Sequence, residues 1–299
     1  MLAFCLKCRQ CHHKLKSCYY TIHFSCTYMW TDTHCHLEAP ELAAVRDDLV
    51  RRAAALQVTR IVIPSINREG FAEVRDLAHR YPGCAYALGI HPVHVPDADE
   101  GDLKQLDMLL ESAMADPRLV GMGEIGLDFF VPELREGPLR EKQEHFYIEQ
   151  LKMARRYELP VLLHSRRAVD VVLKHLRQTG VPGGIAHAFN GSFQQASAFI
   201  ELGFMLSFCG TLTYERAQHL RRLAAGLPLE AIVLETDAPD LSPSWLRGQP
   251  NTPESLPRIG AELATLRNMT VDALARATTD NALRVLPRLQ NLPLTHSDW

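Results

Sequence analysis

From residue 30 onward the chain alternates short apolar runs with stretches of helical periodicity. Eight runs stand out: Tyr28 to His34, Arg60 to Ser65, Ala85 to Ile90, Leu119 to Ile125, Pro160 to His164, Gly184 to Ala188, Phe204 to Cys209, and Ala231 to Thr236. Several are continuously apolar rather than alternating, as expected for strands covered on both faces. Between them, Val169, Val172, Leu173 and Leu176 fall at i, i+3, i+4 and i+7, and Tyr147, Leu151 and Ala154 repeat the spacing, so the intervening segments read as helices. Ser192, after Gly191 and before Phe193, Ala196 and Ile200, has the character of a helix N-cap. Eight strands with intervening helices predict an α/β fold, a TIM (β/α)8 barrel. An open doubly wound sheet is the main alternative, but no Gly-rich dinucleotide fingerprint follows the first run. Past Asp240 a Pro-rich, polar stretch reads as a long loop on the active face, followed by two more helices.

Residues of metal-ligand type stand at or just past the C-terminal ends of five runs: His34 and His36, Glu124, His164, His187 and Asp237. The two-residue period of extended chain puts His34 and His36 on one face and Cys35 on the other. A lone His-x-His, or a single His or Glu after a strand, is more often a satisfied structural residue than a ligand. Recurrence at equivalent strand ends changes the balance, because the C-terminal strand ends of a barrel converge on one small volume. Glu124 lies in Gly121-Met-Gly-Glu, where glycines permit close approach and a carboxylate can bridge two metals. Asp237 directly follows a buried strand and needs a partner for its charge; Glu235 shares its face and reads as a support residue. Asp128 reads as orienting the turn after Glu124. Two metals about 3.5 to 4 Å apart can activate a water and neutralise both attacking and leaving oxygens of an in-line displacement, with Asp237 taking the proton. Candidate substrate contacts are His91, Arg166, Asn190 and Asn251. Arg166, read as opening the helix after His164, suits a phosphate, although a solvated arginine is about equally expected there.

Composition narrows the function further. The chain of 299 residues has 46% hydrophobic and 22% charged residues, an ordinary globular balance. Its formal charge of -3 gives no basic footprint for gripping long nucleic acid, so a nucleic-acid substrate is expected to be held locally. No apolar stretch is long enough to span a bilayer, and a cytoplasmic location is the default. Five of the eight cysteines (Cys5, Cys8, Cys11, Cys18, Cys26) precede residue 30. A zinc knuckle from Cys5 and Cys8 with Cys11 or His12 lacks its second ligand pair. Residues 1–28 therefore read as a disordered extension or a start placed too far upstream, residues 29–290 as the catalytic domain, and residues 291–299 as a free tail.

Six separated motifs resemble the TatD family of metal-dependent hydrolases, within the amidohydrolase superfamily. They are Asp32-Thr-His-Cys-His, Gly89-Ile-His-Pro92, Gly123-Glu-Ile-Gly-Leu-Asp128, Leu163-His-Ser-Arg166, His187-Ala-Phe-Asn-Gly-Ser192 and Glu235-Thr-Asp-Ala-Pro239, spanning about residues 30 to 289. The resemblance implies that His34, His36, Glu124 and Asp237 hold one divalent metal, and that Glu124, His164 and His187 hold a second. It also implies metal-dependent cleavage of DNA phosphodiesters, often from the 3′ end. The Cys-rich start lies outside the resemblance. Imidazole-rich ligation suits Zn, Mn or Co more than Mg, although Mg is compatible with the carboxylates and a phosphate.

Two other functions use the same residues. Hydrolysis of an ester, lactone or amide would need the same activated water, but superfamily members with a bridging lysine carry it where Glu124 stands here. A metal-stabilised binding barrel without catalysis is the alternative of another class, and retention of Asp237 argues against it. The protein is expected to act as a monomer on DNA or another phosphodiester, without a membrane partner.

Overall fold

The computed structural model describes residues 28–296. The zinc knuckle considered for Cys5 to His12 lies outside them. Eight parallel strands follow one another around a single sheet in sequence order: β1 (Trp30–Asp32), β2 (Val58–Pro64), β3 (Cys84–Leu88), β4 (Leu119–Asp128), β5 (Val161–Arg166), β6 (Gly184–Ala186), β7 (Phe204–Phe208) and β8 (Ile232–Leu234). The seam between first and last is closed by the Thr33 N–H on the Leu234 carbonyl (3.1 Å) and the Asp237 N–H on the His34 carbonyl (2.9 Å). This is the expected TIM barrel, and the closed seam excludes the open sheet.

The helices are α1 (Pro40–Ala43), α2 (Arg46–Ala55), α3 (Gly70–Arg80), α4 (Glu100–Ala113), α5 (Gly137–Arg156), α6 (Val169–Thr179), α7 (Phe193–Glu201), α8 (Gln218–Gly226), α9 (Leu256–Leu266) and α10 (Val271–Val285). Ser192 caps α7 as its sequence suggests, accepting the Gln195 N–H while the Gln195 side chain accepts the Ser192 N–H. Arg166 is the last residue of β5 and does not open α6, which starts at Val169.

Every residue of β1 to β4 is buried, which explains their mostly apolar character; the buried polar residues Asp32, Glu124 and Asp128 belong to the site or support it. Val62, Ala85, Ala87, Val120, Leu162, Ile185 and Val233 fill the barrel interior, while a larger apolar layer lies between strands and helices. The glycines of β4 have the role their spacing implies. A Cβ on Gly123 would stand 2.6 Å from that of Leu162, and one on Gly121 would stand 2.9 Å from the Pro160 carbonyl, so β4 can approach β5 only without side chains there.

Within the expected free tail of residues 291–299, the described part, 291–296, is docked on the barrel and corrects that expectation. Leu286, Leu289 and Leu292 plug the barrel floor from below. Beyond them, Thr295 donates its N–H to the Thr59 carbonyl (3.1 Å) and accepts the Gly83 N–H on Oγ1 (2.8 Å). Open strand starts leave apolar surface and backbone polar groups that water would otherwise have to satisfy, and this segment covers both. Among the described residues no helix is long and apolar enough to cross a membrane.

Candidate metal centre

The strand ends bring all six expected ligands together at the C-terminal mouth. His34 and His36 leave the end of β1 with their Nε2 atoms 3.3 Å apart. Glu124 lies within β4, its N–H fixed to the Ser65 carbonyl beyond β2 (2.9 Å). Asp237, just past β8, sits in the left-handed region at φ 58°, a strained conformation for a residue with a Cβ.

Glu124 is the centre of the arrangement. Its Oε2 lies 3.2 Å from His34 Nε2 and 3.5 Å from His36 Nε2. Its Oε1 lies 3.0 Å from His164 Nδ1, 3.5 Å from His91 Nε2 and 4.0 Å from His187 Nε2. Asp237 Oδ1 completes the first group at 3.7 Å from both His34 and His36 Nε2, and it is 3.6 Å from His187 Nε2. His187 thus leans toward the first group, with its ring stacked on His34 at 3.8 Å.

These separations fit a divalent ion. Ligand atoms about 2.1 Å from a tetrahedral metal lie about 3.4 Å from one another, and the five measured contacts among His34, His36, Glu124 and Asp237 run from 3.2 to 3.7 Å. Proton positions fit as well. An imidazole that gives one N–H to a carboxylate presents a bare lone pair on its other nitrogen. His36 Nδ1 meets Glu38 (3.0 Å), His187 Nδ1 meets Glu235 (2.8 Å) and His164 Nε2 meets Asp128 (3.1 Å), so the opposite nitrogen of each ring is turned into the site. Core histidines satisfied by the fold would not share that orientation.

His91 is built the other way round. It is buried within reach of Glu124 and His164, yet its Nδ1 accepts the Val93 N–H (3.2 Å), so the neutral ring carries its proton on Nε2, aimed at the site. In that tautomer Nε2 is a donor, although the ring also stands in one of the three groups of side chains, with Glu124 and His164, that could hold a cation.

Burial shapes the charges. Without a metal, burial pushes the Asp237 carboxyl up to about 7, against the pull of His187 and His36. Burial lowers His34 to about 4, with His187 acting in the same direction. For Glu124 burial acts upward but is outweighed by His91, His34 and His187, which hold the carboxyl well below its usual range. Burial lowers His36, His164 and His187 as well, but the carboxylates facing them outweigh it and hold all three above the usual imidazole range, His187 at about 10; protons there answer the same negative charge that a bound cation would answer.

The remaining sequence candidates separate. Arg166 is exposed at the mouth, two residues beyond His164 on β5. Asn190 is exposed in the loop between β6 and α7. Asn251 is a correction: it is fully buried, donates its Nδ2–H to the Thr236 carbonyl (2.8 Å) and accepts the Thr252 N–H on Oδ1 (2.9 Å), so its side chain ties the long loop to the end of β8 instead of facing a substrate. Asp128 reaches further than expected, since besides holding His164 it accepts the N–H groups of Phe130 and Val131 at 2.8 and 3.1 Å. Sequence reasoning missed Glu38 and gave no role to Asp32, whose carboxylate accepts the Thr236 N–H (2.9 Å) and hydroxyl (2.6 Å) and pins β1 to β8 behind the histidines. A cavity of about 500 Å³ lined by Pro160, Phe204, Ala231 and Arg284 opens at the strand starts, away from the histidines.

Residues 31–287 match the model of the TatD related DNase family. The chain belongs to the TatD family. Among relatives, it is 41% identical over 251 residues to the uncharacterized metal-dependent hydrolase YjjV of Escherichia coli K12, covering 84% of this chain and 95% of that protein. The crystal structure of YjjV superposes with a TM-score of 0.81 at 40% identity, over 86% of this chain and 98% of that one. Human deoxyribonuclease TATDN3 is 32% identical over 266 residues, covering 87% and 96% of the two chains. As a TatD protein this chain is a metal-dependent hydrolase, and its donor clusters supply the groups that such chemistry requires.

Proposed function

We propose that this protein is a phosphodiesterase with two divalent metals that hydrolyses DNA, removing nucleotides from the 3′ end of a strand. The observation that carries the proposal is the division of Glu124, with Oε2 facing His34 and His36 and Oε1 facing His164. A carboxylate in that position would offer an anionic oxygen to each of two cations. His34, His36, Glu124 and Asp237 would hold the first, and Glu124 and His164 the second together with His187, whose Nε2 stands between the groups at 3.6 Å from Asp237 Oδ1 and 4.0 Å from Glu124 Oε1, as Mg, Mn, Zn or Co. When bound, such ions supply Lewis acidity toward phosphoryl oxygens and favour ionisation of water.

The chain's own groups account for the rest. Asp237 is placed to accept a proton from the attacking water, the role of a general base. His91 offers its Nε2–H to a non-bridging phosphate oxygen, and Arg166 offers a charge-assisted contact to the adjoining phosphate. Glu38, Glu235 and Asp128 hold the imidazoles in the tautomers this work requires. The exposed large apolar side chains (Val45, Leu56, Val93, Met108, Phe130, Phe193) fall on separate elements except for Val45 and Leu56, which stand at opposite ends of α2, and this dispersal suits a monomer.

The test uses single-stranded oligonucleotides labelled at the 3′ or the 5′ end, metal-stripped protein, and Mg, Mn, Co or Zn added back. Stepwise loss from the 3′ end, restored by metal and absent in Glu124→Ala, is expected. No cleavage with any metal would overturn the nuclease assignment and leave a small-molecule ester, lactone or amide as the substrate.

A further inference from the structure

Beside the metal centre, Phe130 is 43% exposed on the loop that leaves β4. The Arg166 guanidinium lies 3.6 Å from the ring centroid and that of Arg167 4.7 Å from it. Among the described residues neither arginine pairs with a carboxylate, whereas Arg140 and Arg156 nearby in sequence are bound to Glu144 and Asp107. Arg167 has φ 56°, a left-handed conformation that costs a residue with a Cβ about 1 kcal/mol or more. The strain persists at a point where the fold gains no buried contact from the arginine, since both guanidiniums lie at the surface.

This group is fixed to the metal centre by two routes. Asp128 accepts the Phe130 N–H on Oδ1 (2.8 Å) and meets His164 Nε2 with Oδ2 (3.1 Å), so one carboxylate sets both the ring's backbone and a ligand's orientation. Along β5, Arg166 is two residues from His164 and therefore on the same side of the strand.

A Phe130 ring with one guanidinium laid on its face and a second 4.7 Å from its centroid, neither paired with a carboxylate, matches a ligand that carries a flat π-system next to an anion. A nucleotide within a single strand has both, while a duplex keeps its bases stacked inside. We propose that the stack of Phe130, Arg166 and Arg167 is the platform on which a base next to the scissile phosphate stacks, so that binding depends on that base as well as on the phosphodiester. The proposal rests on the nuclease function above and deepens it. Arg166 and Arg167 contribute charge to the flanking phosphates and, through their planar guanidiniums, additional stacking surface.

The experiment compares wild type with Phe130→Ala, Phe130→Leu and Phe130→Trp, using a fluorescein-labelled single-stranded hexathymidylate and the same oligonucleotide with abasic sites at its last two 3′ positions. Binding is read by fluorescence anisotropy and cleavage by gel. Base stacking on one aromatic ring predicts roughly tenfold weaker binding of the intact oligonucleotide by Phe130→Ala and Phe130→Leu, near-wild-type binding by Phe130→Trp, and no further loss on the abasic oligonucleotide. Wild-type cleavage with equal loss on intact and abasic strands, or with no loss in Phe130→Ala, would overturn the platform and leave the nuclease function standing. Base-dependent and Phe130-dependent binding without cleavage by any metal-loaded protein would support the platform and overturn the nuclease function. Absence of binding by wild type would overturn the platform outright.

Discussion

The Nε2 atoms of His34 and His36 lie 3.3 Å apart, both facing Glu124 Oε2 and Asp237 Oδ1. Ring nitrogens held that close must share either a proton or a cation, and the surrounding carboxylates favour the cation. Adding a divalent metal to stripped protein should therefore raise its thermal midpoint. At a hundredfold excess over Kd the gain is about 3 kcal/mol, several degrees for a barrel of this size. Scanning calorimetry with and without Mn or Zn checks this, and an unchanged midpoint would show that the site prefers no metal.

Removing the carboxylates behind the imidazoles should weaken metal binding without touching a ligand. Glu38 lies 3.0 Å from His36 Nδ1 and Glu235 2.8 Å from His187 Nδ1. Glu38→Gln and Glu235→Gln should each lower metal affinity about 10- to 100-fold, read by competition with a chromophoric chelator. Wild-type affinity in both variants would mean the ring orientations are set by packing alone.

How much of this centre was legible beforehand follows from chemistry. His34, His36, Glu124, His164, His187 and Asp237 were readable because a metal ligand's residue type is restricted and strand ends are marked by the apolar runs before them. Glu38 carries no such mark, since an acidic residue two past a histidine is common and only the turn after β1 brings it to Nδ1. Asn251 was misplaced because an asparagine in a loop serves substrate and backbone with the same atoms; its buried bond to the Thr236 carbonyl is a tertiary fact. The alternation of runs and helical patterns conveyed the barrel, but the floor could not be read, because Leu286, Leu289 and Leu292 show helical spacing without showing which surface they cover.

That floor makes a prediction of its own. Truncation after Asn291 removes Leu292 from the barrel interior and both Thr295 hydrogen bonds. Loss of one buried leucine and two backbone partners should cost about 3 kcal/mol, measurable as a lower urea midpoint. A truncated protein of full stability would show that the segment contributes nothing.

Asp116 links the β3–β4 side of the barrel to acid stability. It accepts hydrogen bonds from His79 (2.7 Å), Tyr86 (2.9 Å) and the Arg118 N–H (3.0 Å). Burial acts to raise its pKa but is outweighed by these three donors, which hold it below 3.8. A carboxyl whose pKa is depressed on folding stabilises the protein above its unfolded pKa, and that contribution is lost as pH falls through the folded value. Asp116→Asn should thus cost about 1 to 2 kcal/mol at pH 7, with the gap to wild type closing below 3.8. Urea denaturation at pH 7 and near pH 3 checks this, and a gap independent of pH would contradict it.

The central claim is that this site uses bound metal and the Asp237 carboxylate to hydrolyse phosphodiesters. The most direct measurement is turnover of a single-stranded oligonucleotide by Asp237→Asn, with bound metal counted in the same samples. A folded variant that still binds metal through the remaining donors but is slowed about 100-fold or more is the predicted result. Wild-type turnover by Asp237→Asn, or undiminished turnover by wild-type protein shown to be metal-free, would contradict the account.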